Sequence, residues 1–339
     1  MNEVTTLAFN GYVDQVYKLN GVARSVQKFT VTPTIQQKLM DKMAESADVL
    51  KKINIVPVDE LSGEKIGLGT SGTIAGNTDT SDGNTERQTS DPSNMTGQTY
   101  ECKKNNFDTH LSYKKLDLWA KFKDFQVRVR NHNMHAEALD RCRILWNGTS
   151  YAANSNRTNN PLLQDVNVGV LQHYRDDAPD RVMDEAEDAS GVINVYAGGD
   201  YENLDALVED AVETLIDPWH KDDTALVAIM NRKMLSDKYF PLINQQQPSS
   251  EVLATQLVIA QKRVGEVQAV AVPFFPENTI LITTWDNLSI YYQSGGRRRH
   301  ILDNPKKDRV ENYESSNDAY VVEDYGRGCL IENINTVAP

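Results

Sequence analysis

The chain has 339 residues, 40% of them hydrophobic, and a formal charge of -13. That length allows two domains or one large discontinuous one around a real core. The acidic balance argues against tight wrapping of nucleic acid, which needs a net basic face, and the absence of any apolar run near ~18 residues argues against a membrane span.

Residues 3 to 19 carry Leu7, Phe9, Tyr12, Val13, Val16, Tyr17 and Leu19 at helical spacing, closed by Asn20-Gly21. This predicts a short amphipathic helix set off by a polar junction from Arg24 to Thr30; such a helix can bind a partner, lie on a membrane surface or pack down on its own chain. Thr32-Pro33, an N-cap with proline in the first turn, opens a second helix through Ile35, Leu39, Met43 and Leu50. Ile53 to Val58, which contains Pro57, reads as an edge strand. From Ser62 to Thr99 the texture changes to Gly, Ser, Thr, Asn and Asp, too long for an internal loop unless it is an extended arm. Phe107, Thr109, Leu111 and Tyr113 then alternate as a strand, so Ile53 to Tyr113 reads as a long hairpin with a mobile tip.

The stretch from Leu118 to Trp146 predicts one uninterrupted helix on the order of 40 Å long, N-capped by Asp117 and left through Asn147-Gly148. Its main row is Leu118, Phe122, Phe125, Val129, His132, Ala136, Leu139, Arg143 and Trp146; Ala120, Val127, Met134, Ala138, Cys142 and Leu145 widen the stripe. The charged face holds Lys121, Lys123, Arg128 and Arg130. Beyond it lie an Asn/Ser-rich segment, the motif NPLLQDVNVGVLQHYR from Asn160 to Arg175, and an acidic excursion over 176 to 190. An α/β pattern follows: a helix through Leu204 to Ile216, a strand over Ala225 to Met230, helices near Lys233 to Phe240 and Glu251 to Arg263, and strands over Val267 to Phe275, Thr279 to Thr284 and Leu288 to Gln293. In the tail, Tyr320 to Val322 and Cys329 to Ile334 read as strands returning to the first half of the chain.

Chemical motifs fail on context. Gly67-x-Gly69-x-x-Gly72 matches a dinucleotide fingerprint as a string, but the residues after it cannot form the helix whose amides would face a pyrophosphate. His132 and His135 with Glu137 and Asp140 lack the spacing and third donor of a zinc site, and His132 is expected to pack or hydrogen-bond between elements along the helix seam. Neither a nucleophile elbow nor a Walker loop occurs, so no catalytic, cofactor-binding or metal residue is assigned. Cys102, Cys142 and Cys329 read as small buried hydrophobes in a reducing compartment, in keeping with the lack of a secretory signal, and the sequons at Asn94, Asn147, Asn156 and Asn287 as chance matches. Arg297, Arg298 and Arg299 follow Gly295-Gly296 as a basic turn, either solvated or paired with a neighbouring subunit.

Taken in order, LNG before position 22, KFTV from Lys28, INIVPV from Ile53, GEKIG, Glu86-Arg87-Gln88, YECKKNNFD, YKKLDLWAKFKDFQ, NPLLQDV, the Gly-Asp-Tyr of 199 to 201, DKYFP, NLSIYY and DRVENYESSNDAYVVEDY run nearly end to end. In that register the chain resembles the major capsid proteins of temperate tailed phages of the P-two type, which share the tailed-phage and herpesvirus capsid fold. The resemblance implies an α+β fold with a segment 1–29 removed on maturation near Lys28, Phe29 and Thr30, and an N-terminal arm over 30–58. It implies an extended β-hairpin arm over 59–113, reaching a neighbour through Gly67, Gly69, Thr78, Asp79, Thr80, Glu86 and Arg87. It further implies a peripheral domain over 114–149 and 306–339 with the long helix, and an α/β axial domain over 150–305. The implied partners are copies of the same chain in hexamers and pentamers, an internal scaffolding protein, a head-maturation protease, a portal protein at one vertex, a decoration or completion protein and enclosed double-stranded DNA, within a virion capsid and without membrane or cofactor. A scaffold-like adaptor using the N-terminal helix is the alternative.

Overall fold

A computed structural model describes residues 6, 10, 11, 13, 14, 16–18, 29–66, 69, 70, 75–79, 81, 86, 87, 89, 93, 94, 97–119, 125–187, 189–244 and 262–337. The described positions between 6 and 18 are helical, and Val13, Val16 and Tyr17 are buried against Val31, Leu116, Val129 and Val310. Their spacing puts all three on one face, and that face packs down on the same chain.

Strand β1 (Phe29–Thr30) precedes helix α1 (Pro33–Ser46), which starts as expected, with Gln36 N–H donating to Thr32 O at 2.9 Å. Then come β2 (Asn54–Val58), β3 (Ser62–Ile66), β4 (Gly69–Thr70), β5 (Ser93–Asn94), β6 (Gly97–Glu101), β7 (Lys103–Asn106) and β8 (Thr109–Ser112). Pairing of β3 with β6 and of β4 with β5 builds a hairpin arm within 62–101, shorter than the hairpin expected over Ile53 to Tyr113, because Asn54–Val58 pairs with 289–293 while Lys103–Asn106 and Thr109–Ser112 pair with Arg309–Val322; Gly69 lies in a strand rather than at a phosphate-binding turn. Helix α2 (Tyr113–Trp119) follows directly, then α3 (Phe125–Asn147). At 23 residues α3 is about 35 Å long. One expectation changes here: Asp117 lies inside α2 instead of capping a helix. Residues 120–124, with Phe122, on which the single helix expected from Leu118 to Trp146 depends, lie outside the described residues.

The remaining elements are α4 (Val170–Asp177), β9 (Val182–Met183), β10 (Ile193–Asn194), α5 (Leu204–Leu215), β11 (Val227–Met230), α6 (Arg232–Asn244), β12 (Arg263–Val264), β13 (Val267–Ala271), β14 (Ile280–Thr283), β15 (Leu288–Gln293), β16 (Arg298–Asn304), β17 (Arg309–Val322), β18 (Cys329–Ile331) and β19 (Ile334–Asn335). The helix expected near Glu251 to Arg263 falls mostly outside the described residues. Asn203 caps α5 by accepting from Ala206 N–H, which fixes where that amphipathic helix begins.

Two sheets organise these elements. The seven-stranded one centres on β17, with β16 and β15 along one side, β7 and β8 along the other, and β1 and β2 as outer strands. Strand β2 is parallel to β15 and takes the edge position that Pro57 demands. A six-stranded sheet runs β12-β13-β11-β14-β18-β9. These pairings divide the chain differently from the expected ranges: 288–304 belong with β17 and β2, while Cys329–Ile331 pairs with β14 and β9 in the other sheet. A 14-residue strand such as β17 offers ladders on both sides, and its partners are chosen by register rather than by proximity in sequence.

One core cluster joins α1, the C-terminal half of α3, α4 and both sheets, with Trp146 edge-on to Phe275 at 5.2 Å. A second fills the space between α5, α6 and the six-stranded sheet.

Candidate assembly surfaces and a buried charge cluster

The long helix buries only part of the row its spacing singled out: Val129 and Trp146 are buried, Ala136 and Leu139 half-buried and His132 exposed. Met134, Ala138, Cys142 and Leu145, from the secondary row, are fully enclosed. His132 is exposed, not a seam residue, and Leu118 on α2 is 56% exposed. The buried stripe rotates because it carries charge. Glu137 and Arg141, four residues apart and hence on one face, point into the protein with the apolar residues.

Arg141 is 0% exposed. Its Nη1 donates to Glu137 Oε1 at 2.7 Å, and its Nη2 and Nε donate to Asp318 Oδ2 at 2.8 and 3.2 Å. The other Glu137 oxygen accepts from Arg297 Nη2 at 2.9 Å, and Arg297 Nε donates to Glu314 Oε1 at 2.7 Å. Ser316 Oγ donates to the remaining Asp318 oxygen at 2.6 Å, and the Arg141 guanidinium lies 4.6 Å over the Phe107 ring. Burial pushes Arg141 downward, but Asp318 and Glu137 outweigh it and hold its pKa above the ordinary value. Burial likewise opposes ionisation of Glu314, yet Arg297 and Arg299 pull its carboxyl down to about 2. The alternating charges bolt the long helix to β17 and to the turn before β16, a joint whose members cannot be removed singly without stranding a buried charge.

Arg297 is therefore a correction: it is 2% exposed and not part of a surface turn. Arg298 is exposed, and Arg299 is partly covered, its Nε donating to Asn312 Oδ1 at 2.9 Å. Both begin strand β16 rather than a turn, pairing with Ser315 and Glu314. The signal available in sequence was the Glu-x-x-x-Arg pair flanked by Met134, Ala138, Cys142 and Leu145; nothing local pointed to its partners.

At its base the hairpin arm rests on the large sheet. Lys65 Nζ donates to Val322 O and sits 4.0 Å from Glu323, while Tyr100 meets Tyr291 edge-on at 5.1 Å. Burial lowers the Lys65 pKa against the pull of Glu323. Farther out, Thr78, Asp79, Glu86 and Arg87 are exposed, and Asp79 Oδ1 accepts from Ser81 N–H at 2.9 Å; Gly67 and Thr80 are outside the described residues. Of the expected processing residues, Phe29 and Thr30 form β1, paired with Arg299 and Arg298 at the sheet margin, and Lys28 is outside the described residues. Cys102, Cys142 and Cys329 are buried free thiols, each pushed up to about 12 by burial. Among the described residues no cluster of His, Cys, Asp and Glu is placed to hold a metal, and no helix is long and apolar enough to cross a membrane.

The architecture thus combines a long helix joined to a large sheet, a β-hairpin resting on that sheet and a second α/β layer. A family profile described as "Phage major capsid protein, P2 family" matches residues 8–334. The chain belongs to that family. It is 52% identical over 341 residues to the "Capsid proteins" of Escherichia phage P2, covering 98% of this chain and 95% of the relative. It is 42% identical over 347 residues to the "Major capsid protein" of Serratia phage KSP20, covering 100% and 99%. Among solved structures, a chain of the satellite phage P4 procapsid, which includes the size determination (Sid) protein, aligns with TM-score 0.82 and 48% identity over 99% of both chains. The cyanophage A-1(L) capsid aligns with TM-score 0.55 at 12% identity, over 85% of this chain and 93% of that one, and so shares the fold. The P2-family chain is thus a major capsid protein with the tailed-phage capsid fold, a component of the virion shell and not an enzyme.

Proposed function

We propose that the chain assembles as hexamers and pentamers of an icosahedral procapsid around an internal scaffolding protein, and that the shell then matures around double-stranded DNA. The observation that carries this is the alignment, over 99% of both chains at TM-score 0.82, with a subunit of a procapsid. In this reading the sheet centred on β17 and the long helix form the peripheral domain, the six-stranded sheet with α5 and α6 the axial domain, and the hairpin lies over a neighbouring subunit. Adhesion spread over several weak surfaces suits a shell, because single contacts stay reversible while their sum locks. Exposed Leu118, Val127 and Arg298 are candidate contacts to a neighbour. Processing near Lys28, Phe29 and Thr30 by a head-maturation protease, and docking of portal and decoration or completion proteins, belong to the same reading. The adaptor alternative is disfavoured, since Val13, Val16 and Tyr17 are occupied by their own subunit.

Co-expression with the scaffolding protein and protease, followed by negative-stain microscopy, should show closed icosahedral shells; persistent monomers would sink the proposal. Intact mass of protein from mature particles should lack the N-terminal segment, and full-length protein there would rule out processing.

A further inference from the structure

Phe29 and Thr30 are already paired within the large sheet. Register sets Phe29 opposite Arg299 and Thr30 opposite Arg298, and Val31 N–H donates to Arg297 O at 3.0 Å. Backbone groups alternate sides along a strand, so Phe29, like Val31, turns its N–H and C=O toward β16. A protease that works on extended chain aligns the substrate with a strand of its own and takes the scissile carbonyl into its oxyanion site. Here the Phe29 carbonyl is engaged by its own sheet. The next bond is closed for another reason: Thr30 turns its carbonyl outward, but Val31, on the far side of that bond, is 1% exposed.

Val31 belongs to a small core of its own. Val13, Val16 and Tyr17 of the N-terminal helix close over it together with Leu116, Val129 and Val310, and none of these residues is in the buried cluster that joins both sheets. A small cluster set apart from the main core can open as one unit while the rest of the fold stays closed. The boundary of that unit falls just past the strand. Gln36 is 0% exposed, its Nε2 donating to Gln293 O at 3.0 Å and its Oε1 accepting from Gly295 N–H at 2.9 Å, and Met40 and Met43 lie in the main core. Helix α1 is thereby anchored, and the helix and strand before it are the part that can lift.

We propose that the N-terminal helix and β1 act as one strap that masks its own processing site: the bonds at Phe29 and Thr30 are closed to a protease in the folded subunit and are cut only after helix and strand lift together. The inference rests on the reading that the chain is processed near Thr30, and it adds what controls that step. Packing at Tyr17, far along the chain from the bond, sets the rate of cutting. Processing then follows whatever displaces the helix, so an unassembled subunit keeps its N-terminal segment.

The test uses chymotrypsin, which cuts after Phe29, on the full-length subunit and on a synthetic peptide of residues 22–36, in which Phe29 is the one aromatic residue. The Phe29–Thr30 bond should be cut about 100-fold more slowly in the subunit than in the peptide, because only the opened fraction is available. Equal rates would overturn the mask. Tyr17→Ala leaves the bond and its strand untouched. It should speed the cut roughly tenfold, while cleavage after Tyr174 and Tyr292, buried in the main core, stays slow. An unchanged rate would mean that helix and strand open separately, and parallel acceleration at all three bonds would mean that the gate is global unfolding; either result overturns the strap. Shells assembled with the maturation protease separate this from the processing reading. Tyr17→Ala particles should lose the N-terminal segment earlier than parent particles, and equal timing would overturn control by the strap. Full-length protein in both would remove the processing reading and leave the mask standing on the chymotrypsin rates.

Discussion

Arg141→Met is the sharpest probe of how this subunit is held together. The substitution keeps most of the side-chain volume and removes the guanidinium, so Asp318 Oδ2 loses contacts of 2.8 and 3.2 Å and Glu137 Oε1 loses one of 2.7 Å. Asp318 is 0% exposed and retains only the Ser316 hydroxyl among its side-chain partners described here, whereas Glu137 keeps Arg297. Breaking one member of a buried pair costs ~3–5 kcal/mol, because the penalty is the stranded charge and not the lost attraction. Set against a total stability of roughly 5–15 kcal/mol, that loss is a large fraction. Urea unfolding of dissociated subunits, followed by tryptophan fluorescence, should show it as a lowered midpoint, since Trp146 lies in the adjoining core. The double variant Arg141→Met/Asp318→Leu should be no less stable than Arg141→Met, having lost the orphaned carboxylate as well. A single-variant cost under ~1 kcal/mol, or a double variant equal to the sum of its singles, would refute the reasoning.

Acid should weaken the same joint. Glu314 has its folded-state pKa drawn below the ordinary carboxylate value, to about 2, so its contribution is complete above the unfolded value near ~4.3 and is lost as pH falls toward 2. Glu314→Gln should flatten stability against pH in that window, and an unchanged acid limb would count against the assignment. Leu116→Ala should cost ~2–5 kcal/mol because the side chain is buried, while Leu118→Ala should stay within ~0.5 kcal/mol in the isolated subunit; reversed costs would contradict the described helix face. Deleting residues 1–28 uncovers the apolar surface around Leu116, Val129 and Val310, so the truncated subunit should bind a hydrophobic dye more strongly than the full chain; equal binding would mean that the N-terminal helix does not cover it.

Local chemistry made several elements legible before any coordinates. Thr32-Pro33 announced α1, the apolar spacing from Leu204 announced α5, Leu288 to Gln293 coincided with β15, and the Gly/Thr-rich stretch between two strands foretold the hairpin arm. Each signal is written within a few residues, where capping, periodicity and turn chemistry act. Strand β16 was concealed because Arg297 to His300 is a charge run without alternation, and such a run reads as a turn.

The long helix marks the boundary between the two kinds of information. Its existence, its C-terminal exit at Asn147-Gly148 and the family to which the whole chain belongs were readable from residue order. Which face it buries was not. Periodicity ranks faces by hydrophobicity and gives no reason to turn Glu137 and Arg141 inward; their partners Arg297 and Asp318 lie 160 or more residues away and supply the opposite charges that let them turn in. A buried ion pair is stable only as a set, and that set exists only after β17 and the turn before β16 have been brought against the helix.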